Sequence, residues 1–281
     1  MMNTREANEL LYRFGHYRHP AMPNNWNVGP AELELLQADD RPTRDATASF
    51  QEFYGLPVTG DIGPAELELL NAERCGMPDY PDPTAAVGSG GWPMPCQKSG
   101  VKIHFNTSGM PSSVVPRWDA IRQAVIRIYA EVGLRLVEVA TKSEANIYQT
   151  WQVLASSTIG LAEFNNESCS DSVFCKLDPG YTGYVASLLA HEIGHNCNLQ
   201  HRSQGGVMHP SIQRDPDPFT WKNDPSFPDL RKMYGGEPLD PVTPPPPPGP
   251  NPVLDTFTLA GVSYEIRKAG GTVPGPGPFP A

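Results

Sequence analysis

The chain has 281 residues, 39% of them hydrophobic, and a formal net charge of −10. That is enough apolar content for a core of one or two domains, while the lack of a bilayer-length apolar run excludes a membrane span and the lack of a basic patch excludes nucleic acid as the natural partner. The acidity is uneven: residues 1–78 hold 6 basic and 12 acidic side chains, whereas residues 97–234 hold 13 of each.

Residues 1–78 read as a small all-α domain. The apolar spacing predicts helices over Ala7–Tyr17, with Leu10, Leu11 and Phe14 on one side, over Thr43–Tyr54, and over Ala65–Arg74. Asn27–Asp40 (NVGPAELELLQADD) and Asp61–Arg74 (DIGPAELELLNAER) repeat one pattern 34 residues apart, each with Pro at an early helical position. Two copies are too few for a solenoid and mark two similar helices or a local duplication.

Arg74-Cys75-Gly76-Met77-Pro78-Asp79 follows at once. A thiolate is a good zinc ligand, and a tethered one competes for a metal at high effective concentration. The bland alternative is an exposed cysteine in a turn. Pro81–Cys96 is rich in Pro, Gly and Ser, so residues 79–96 read as a linker and the place for a processing cut.

Residues 97–234 carry the next folded segment. Strands are expected at Val101–Phe105, Leu134–Val139, Ala145–Trp151 and Ile159–Phe164. A helix opens at Pro116 and runs to about Val132, with Trp118, Ile121, Val125, Ile128, Tyr129 and Val132 facing inward. Tyr184–Cys197 is a further helix. It holds His191-Glu192-Ile193-Gly194-His195, after which the chain reads Asn196-Cys197-Asn198-Leu199-Gln200-His201. His191 and His195, four apart, project from one face of a helix, the spacing that two ring nitrogens need to bite one Zn²⁺. Continued helix would carry His201 about 9 Å further along the axis, so the chain must turn back. Asn198, which tolerates the left-handed conformation, sits where the turn must start. A last helix is expected at Pro228–Tyr234, in a stretch carrying Trp221, Phe227, Leu230 and Met233. Residues 235–252 hold five consecutive prolines and form a stiff spacer. In the tail, 253–281, Asp255–Arg267 reads as one hairpin, too short to fold alone.

These motifs resemble the matrixins, the matrix metalloproteinase-like branch of the metzincin zinc peptidases, whose signature is HExxHxxGxxH followed by a methionine turn. Asn198 stands in place of the usual glycine, and Met208 with Pro210 matches the turn. Arg74–Asp79 resembles the matrixin cysteine switch, with Glu73 in place of its first Pro, and Ser49–Leu70 resembles the peptidoglycan-binding-like fold of the matrixin prodomain. The resemblance implies an α+β fold: a metzincin-like domain, with a twisted mixed sheet and an active-site helix, after a small all-α prodomain. It implies one catalytic Zn²⁺ on His191, His195 and His201, Glu192 as general base, Met208 as a structural floor, and Cys75 as the inhibitory ligand until the prodomain is removed. Zinc would acidify a water, and Glu192 would take its proton and pass it to the leaving amine. The substrate is a protein or peptide, added as a strand along Ile159–Phe164.

The segment 146–164 has no His or Asp, and Glu163 stands where an edge-strand ligand would be, so no structural zinc is expected. Asp171 and Asp178 are candidate ligands for structural calcium. Among Cys75, Cys96, Cys169, Cys175 and Cys197, Cys169 with Cys175 could close a local disulfide, and Cys96 with Cys197 is an alternative that spacing does not support. The resemblance implies a secreted protein. The N-terminus carries no apolar signal segment, so the expectation is that an export signal lies outside this sequence or release takes another route. Two rival readings stay open: a cell-wall protein whose N-terminal domain holds glycan, and an inactive zinc-binding relative of the peptidases.

Overall fold

The computed structural model describes residues 4–16, 40–79, 91–154, 157–203, 205–212, 224–234, 253–259 and 262–267. The chain divides into two units, Met1–Leu239 and Asp240–Ala281.

The first unit opens with three helices: α1 (Thr4–Arg13), α2 (Asp40–Tyr54) and α3 (Pro64–Asn71). Leu11, Tyr12, Phe14, Ala46, Phe50 and Leu70 form their core, with Leu10 packed against it. α1 stops short of the expected Tyr17 because Gly15 takes φ +82°. Its neighbour His16 then donates its N–H to Leu11 O at 2.9 Å, closing the helix end. α2 begins before the expected Thr43, since Pro42 in a first turn forfeits no helical hydrogen bond. The Gly55–Asp61 loop after α2 is pinned by one buried amide. Gln51 donates to Thr59 Oγ1, Asp61 O and Glu66 Oε1, and accepts from the Thr59 and Gly60 N–H groups. Apart from Asp40, the first copy of the repeat lies outside the described residues. α3 ends at Asn71, not Arg74, because Ala72 is already extended (ψ 144°).

A six-stranded mixed sheet follows, in the order β1-β5-β6-β4-β2-β3. Its strands are β1 (Arg74–Cys75), β2 (Val101–Phe105), β3 (Leu136–Glu138), β4 (Ile147–Trp151), β5 (Thr158–Ala162) and β6 (Val173–Leu177). β5 and β6 pair antiparallel; every other pair is parallel. α4 (Met94–Ser99) straddles the expected end of the linker at residue 96, and α5 (Trp118–Glu131) buries Trp118, Ile121, Val125, Ile128 and Tyr129, as the spacing predicts. α6 (Val185–Asn196) packs on β5, β6 and α5. α7 (Phe227–Tyr234) adds Leu230 and Tyr234 to the main core. The second unit contains an antiparallel pair, β7 (Val253–Leu259) with β8 (Val262–Arg267), where one hairpin was expected.

The disulfide corrects the sequence reading. Cys96 is bonded to Cys169, 73 residues away, while Cys75, Cys175 and Cys197 are free and buried. Cys175 cannot close a local loop with Cys169 because it lies inside β6, in register with Gln149 on β4 and Ala162 on β5. A bridge closing so long a loop constrains the unfolded chain strongly. Cys96→Ala should lower unfolding free energy by about 2–5 kcal/mol, read from urea titrations with and without reductant. An unchanged midpoint would mean that the reduced chain keeps the loop closed by other contacts.

Candidate metal centre

α6 is buried along its whole length, including His191, Glu192 and His195. A helix without a wet face is held in a protein interior, so these polar groups must find partners inside. Tyr129 on α5 donates its hydroxyl to Ala190 O at 2.6 Å, and the Asn196 amide donates to Glu163 O and Phe174 O, at the edge of β5 and within β6. The helix is thereby tied to α5 and to the sheet. After Cys197 the chain reverses at Asn198, which takes φ +64°, and Leu199 donates its N–H to Gly194 O at 3.0 Å. This is a left-handed helix cap built on Asn. Asn198→Ala should destabilise the fold by about 1 kcal/mol, because alanine keeps Cβ in this conformation but lacks the short polar side chain that lets Asn enter it, whereas Asn198→Gly should be tolerated. Thermal unfolding of the two variants checks this, and equal melting points would show that the left-handed cap is dispensable.

The reversal brings His201 back beside its two predecessors. Nε2 of His191 lies 3.0 Å from Nε2 of His195 and 3.1 Å from that of His201, and the last two are 3.2 Å apart. Cys75 Sγ sits 3.5 Å from His195 Nε2. All four ligand atoms lie within 4.8 Å of one another and all four residues are buried. Tetrahedral bonds of about 2.05 Å to nitrogen and 2.3 Å to sulfur put neighbouring donors roughly 3.3 Å (N···N) and 3.5 Å (N···S) apart. The three nitrogens and the Cys75–His195 pair are close to these spacings, while the sulfur's other distances are bounded only by 4.8 Å.

Each ring is fixed from behind. Nδ1 of His191 lies 2.6 Å from Val207 O, Nδ1 of His195 lies 2.7 Å from Leu199 O, and Nδ1 of His201 lies 2.6 Å from Asp79 Oδ1. Carbonyl and carboxylate oxygens only accept, so each Nδ1 carries the hydrogen and each Nε2 presents a bare lone pair. Burial holds His191 and His195 well below the ordinary imidazole range and lowers His201 to about 3, so all three rings are neutral. Three buried lone pairs facing one another, with only the weak Cys75 S–H near enough to donate to one of them, is a costly arrangement, and a cation removes the cost. Burial, and after it the Glu192 charge, pushes the Cys75 thiol up; a bound metal ion would favour its thiolate.

Met208 is fully buried. A Cβ on Gly194 would lie 2.4 Å from Met208 Sδ, so glycine at this position of α6 is what admits the methionine. Glu192 is fully buried, with the Cys75 thiol beside its carboxylate. It rests against β5, where a Cβ on Gly160 would lie 2.2 Å from Glu192 Oε1. Burial pushes this carboxyl up to about 8.

The segment bearing Cys75 is held from both sides. On one, Arg74 and Cys75 form β1, parallel to β5, with Gly76 N–H donated to Gly160 O at 2.8 Å and Cys75 N–H to Pro210 O at 3.0 Å. On the other, the Arg74 guanidinium grips Asp79 with two bonds of 2.6 and 2.9 Å, bonds Tyr54 Oη at 2.9 Å and lies 3.7 Å from the Phe14 ring centre. Asp79 N–H is donated to Phe14 O at 2.6 Å. Burial alone would raise the Asp79 carboxyl, but the charge of Arg74 and hydrogen bonds from His16 and His201 hold it well below the ordinary carboxylate range. Asp79 therefore belongs by its contacts with the Arg74–Asp79 motif, although the expected domain boundary counts it as the first residue of the linker.

The arrangement thus brings His191, His195, His201 and Cys75 together and leaves Glu192 beside them. It does not bring Asp171 or Asp178 into such a group. Asp171 accepts the Asn166 and Ser168 N–H groups, and Asp178 those of Gly180 and Leu154. Both carboxylates staple turns. His16, Tyr54 and the His201–Asp79 bond were not foreseen; His16 and Tyr54 reach Asp79 from 63 and 25 residues away, and no local pattern signals such contacts.

A peptidoglycan-binding family model, described as "Putative peptidoglycan binding domain", matches residues 3–70. No curated protein matches the chain. No described helix is long and apolar enough to cross a membrane. The chain therefore joins an N-terminal domain of peptidoglycan-binding type, the kind that forms the prodomain of matrixins, to a six-stranded mixed sheet and a buried Cys/His₃ group able to hold a metal ion.

Proposed function

We propose that the chain is a latent zinc endopeptidase of the matrixin kind, silenced by Cys75 until its N-terminal domain is removed. The observation that carries this reading is the set of three neutral imidazoles with Nε2 lone pairs 3.0–3.2 Å apart and one tethered sulfur beside them. Three histidines with a fourth position open to exchange is the donor set of catalytic zinc. Zinc held there supplies Lewis-acid chemistry, polarising a carbonyl and making a water acidic near neutral pH.

The remaining work falls to this chain's own residues. Val207, Leu199 and Asp79 hold the rings in one tautomer. Glu192, next to His191 in the chain and released from Cys75 by the cut, takes a proton from the attacking water and returns it to the departing amine, so that peptide and water become a carboxylate and an amine. β5 offers its outer backbone edge to an extended substrate. In the uncut chain β1 occupies that edge while Cys75 occupies the fourth ligand position, so one segment blocks both substrate and water. A cut in the Pro/Gly-rich stretch 80–90 frees them. The Cys96–Cys169 bridge supports an oxidising, extracellular setting.

The test is a chain nicked within 80–90. Peptide hydrolysis should appear on cutting, stop with a chelator and return with zinc. Hydrolysis by the uncut chain at the same rate, or none after cutting a zinc-loaded chain, would overturn the reading. The family match over residues 3–70 favours a second role for the same domain, retention on a cell-wall glycan. Co-sedimentation of the uncut chain with purified peptidoglycan tests that role.

A further inference from the structure

We infer that Asp79 is the positioning residue for His201, so that the switch segment serves the metal site twice: directly through the Cys75 sulfur, and indirectly through a carboxylate that orients an imidazole of the other domain. The inference rests on the metal reading above and adds a partner to it. His191 and His195 lean on neutral backbone carbonyls of their own neighbourhood, Val207 O and Leu199 O. His201 alone leans on an anion, Asp79 Oδ1, 122 residues away in the segment to be removed.

The bond is well defined. Both side chains are fully buried. Arg74 Nη2 also comes within 3.4 Å of His201 Nδ1, but a ring nitrogen that donates to Asp79 at 2.6 Å has no lone pair in the ring plane left to accept. The carboxylate is itself immobilised: its Oδ2 meets Arg74 Nη1 at 2.9 Å, His16 Nε2 at 3.3 Å and Tyr54 Oη at 3.3 Å. Oδ1, gripped by Arg74 Nη2 at 2.6 Å, is left aimed at His201.

A carboxylate behind a ligating imidazole fixes its tautomer and raises its basicity, and loss of such a partner typically weakens metal binding by 10- to 100-fold. Removing the N-terminal domain should therefore loosen the metal by more than loss of the sulfur alone. It follows that the metal is best acquired before the cut, when sulfur and carboxylate are both in place.

The experiment uses the full chain and zinc alone, with affinity read by competition against a fluorescent chelator. Cys75→Ser removes the direct ligand and sets the baseline. Adding Asp79→Asn should weaken zinc binding by about tenfold or more, whereas adding His16→Gln, which disturbs the same cradle through Oδ2, should leave it at the baseline. Equal affinities for the Cys75→Ser chain with and without Asp79→Asn overturn the inference and leave the metal reading standing. No zinc uptake by the folded Cys75→Ser chain overturns the metal reading itself. Should Asp79→Asn fail to fold, the Nδ1–H proton resonances of the zinc-loaded Cys75→Ser chain decide. That of His201 should lie well downfield of those of His191 and His195 and move toward them after cutting and removal of the N-terminal domain. Three resonances at one shift before cutting overturn the inference.

Discussion

On the proposed function, Arg74→Ala should release peptide hydrolysis in the uncut chain, and should do so more strongly than Cys75→Ser. Arg74 is 1% exposed and faces an Asp79 carboxylate that is fully buried. Deleting one partner of a buried pair leaves the other charge stranded and costs about 3–5 kcal/mol. At about 1.4 kcal/mol per tenfold, the fraction of chains with the switch segment undocked should rise by between about a hundredfold and a few thousandfold. Cys75→Ser removes one ligand but leaves the guanidinium grip and the β1–β5 pairing intact, so the cleft stays physically covered. Arg74→Lys keeps the charge but loses the fork that matches the carboxylate, and belongs between the two. Two measurements check this. One is hydrolysis of quenched peptides by chains shown by electrophoresis to be uncut. The other, independent of catalysis, is the alkylation rate of Cys75, located by mass spectrometry against the buried Cys175 and Cys197. An Arg74→Ala chain in which Cys75 stays as unreactive as in the parent would show that the segment is held by something other than this pair.

The residues of the candidate site that could be read from the sequence are those whose geometry is local. His191 and His195 share a helix face because of their spacing, and Asn198 marked the turn because few other residues enter its conformation. The inward face of α5 was legible for the same reason, as a single helical period. What escaped depends on contacts made at a distance. The partner of Cys96 is 73 residues away, and connectivity among five cysteines does not follow from their order. β6 was missed although Val173, Cys175 and Leu177 alternate inward in a regular way. A short loop closed by Cys169 and Cys175 and a strand through Cys175 are competing readings of the same residues, and only the pairing with β4 and β5 decides between them. α4 has six residues, too few for any period to register. Arg74 and Asp79 both fall within the motif that carries the resemblance, but nothing in the sequence places Asp79 against His201, because that contact exists only once two separately readable segments have docked.

Glu192→Gln should leave zinc stoichiometry unchanged and lower turnover by the cut chain by about 10²- to 10⁴-fold, the usual worth of a positioned acid–base group. The substitution is chosen for size. Glu192 lies against Gly160, where even a Cβ would come within 2.2 Å of its oxygen, so an amide of equal volume fits while a bulkier side chain would not. The amide cannot accept the proton of the attacking water, and that single loss is what the measurement isolates. Glu192 is not one of the four residues whose ligand atoms converge, which is why the metal should stay. His191→Ala, by contrast, removes a ligand and should lose zinc and activity together. If Glu192→Gln released the metal, Glu192 would have to be counted among its ligands; if it cleaved peptides at close to the parent rate, some other group would be taking the proton and the role assigned to Glu192 would fall.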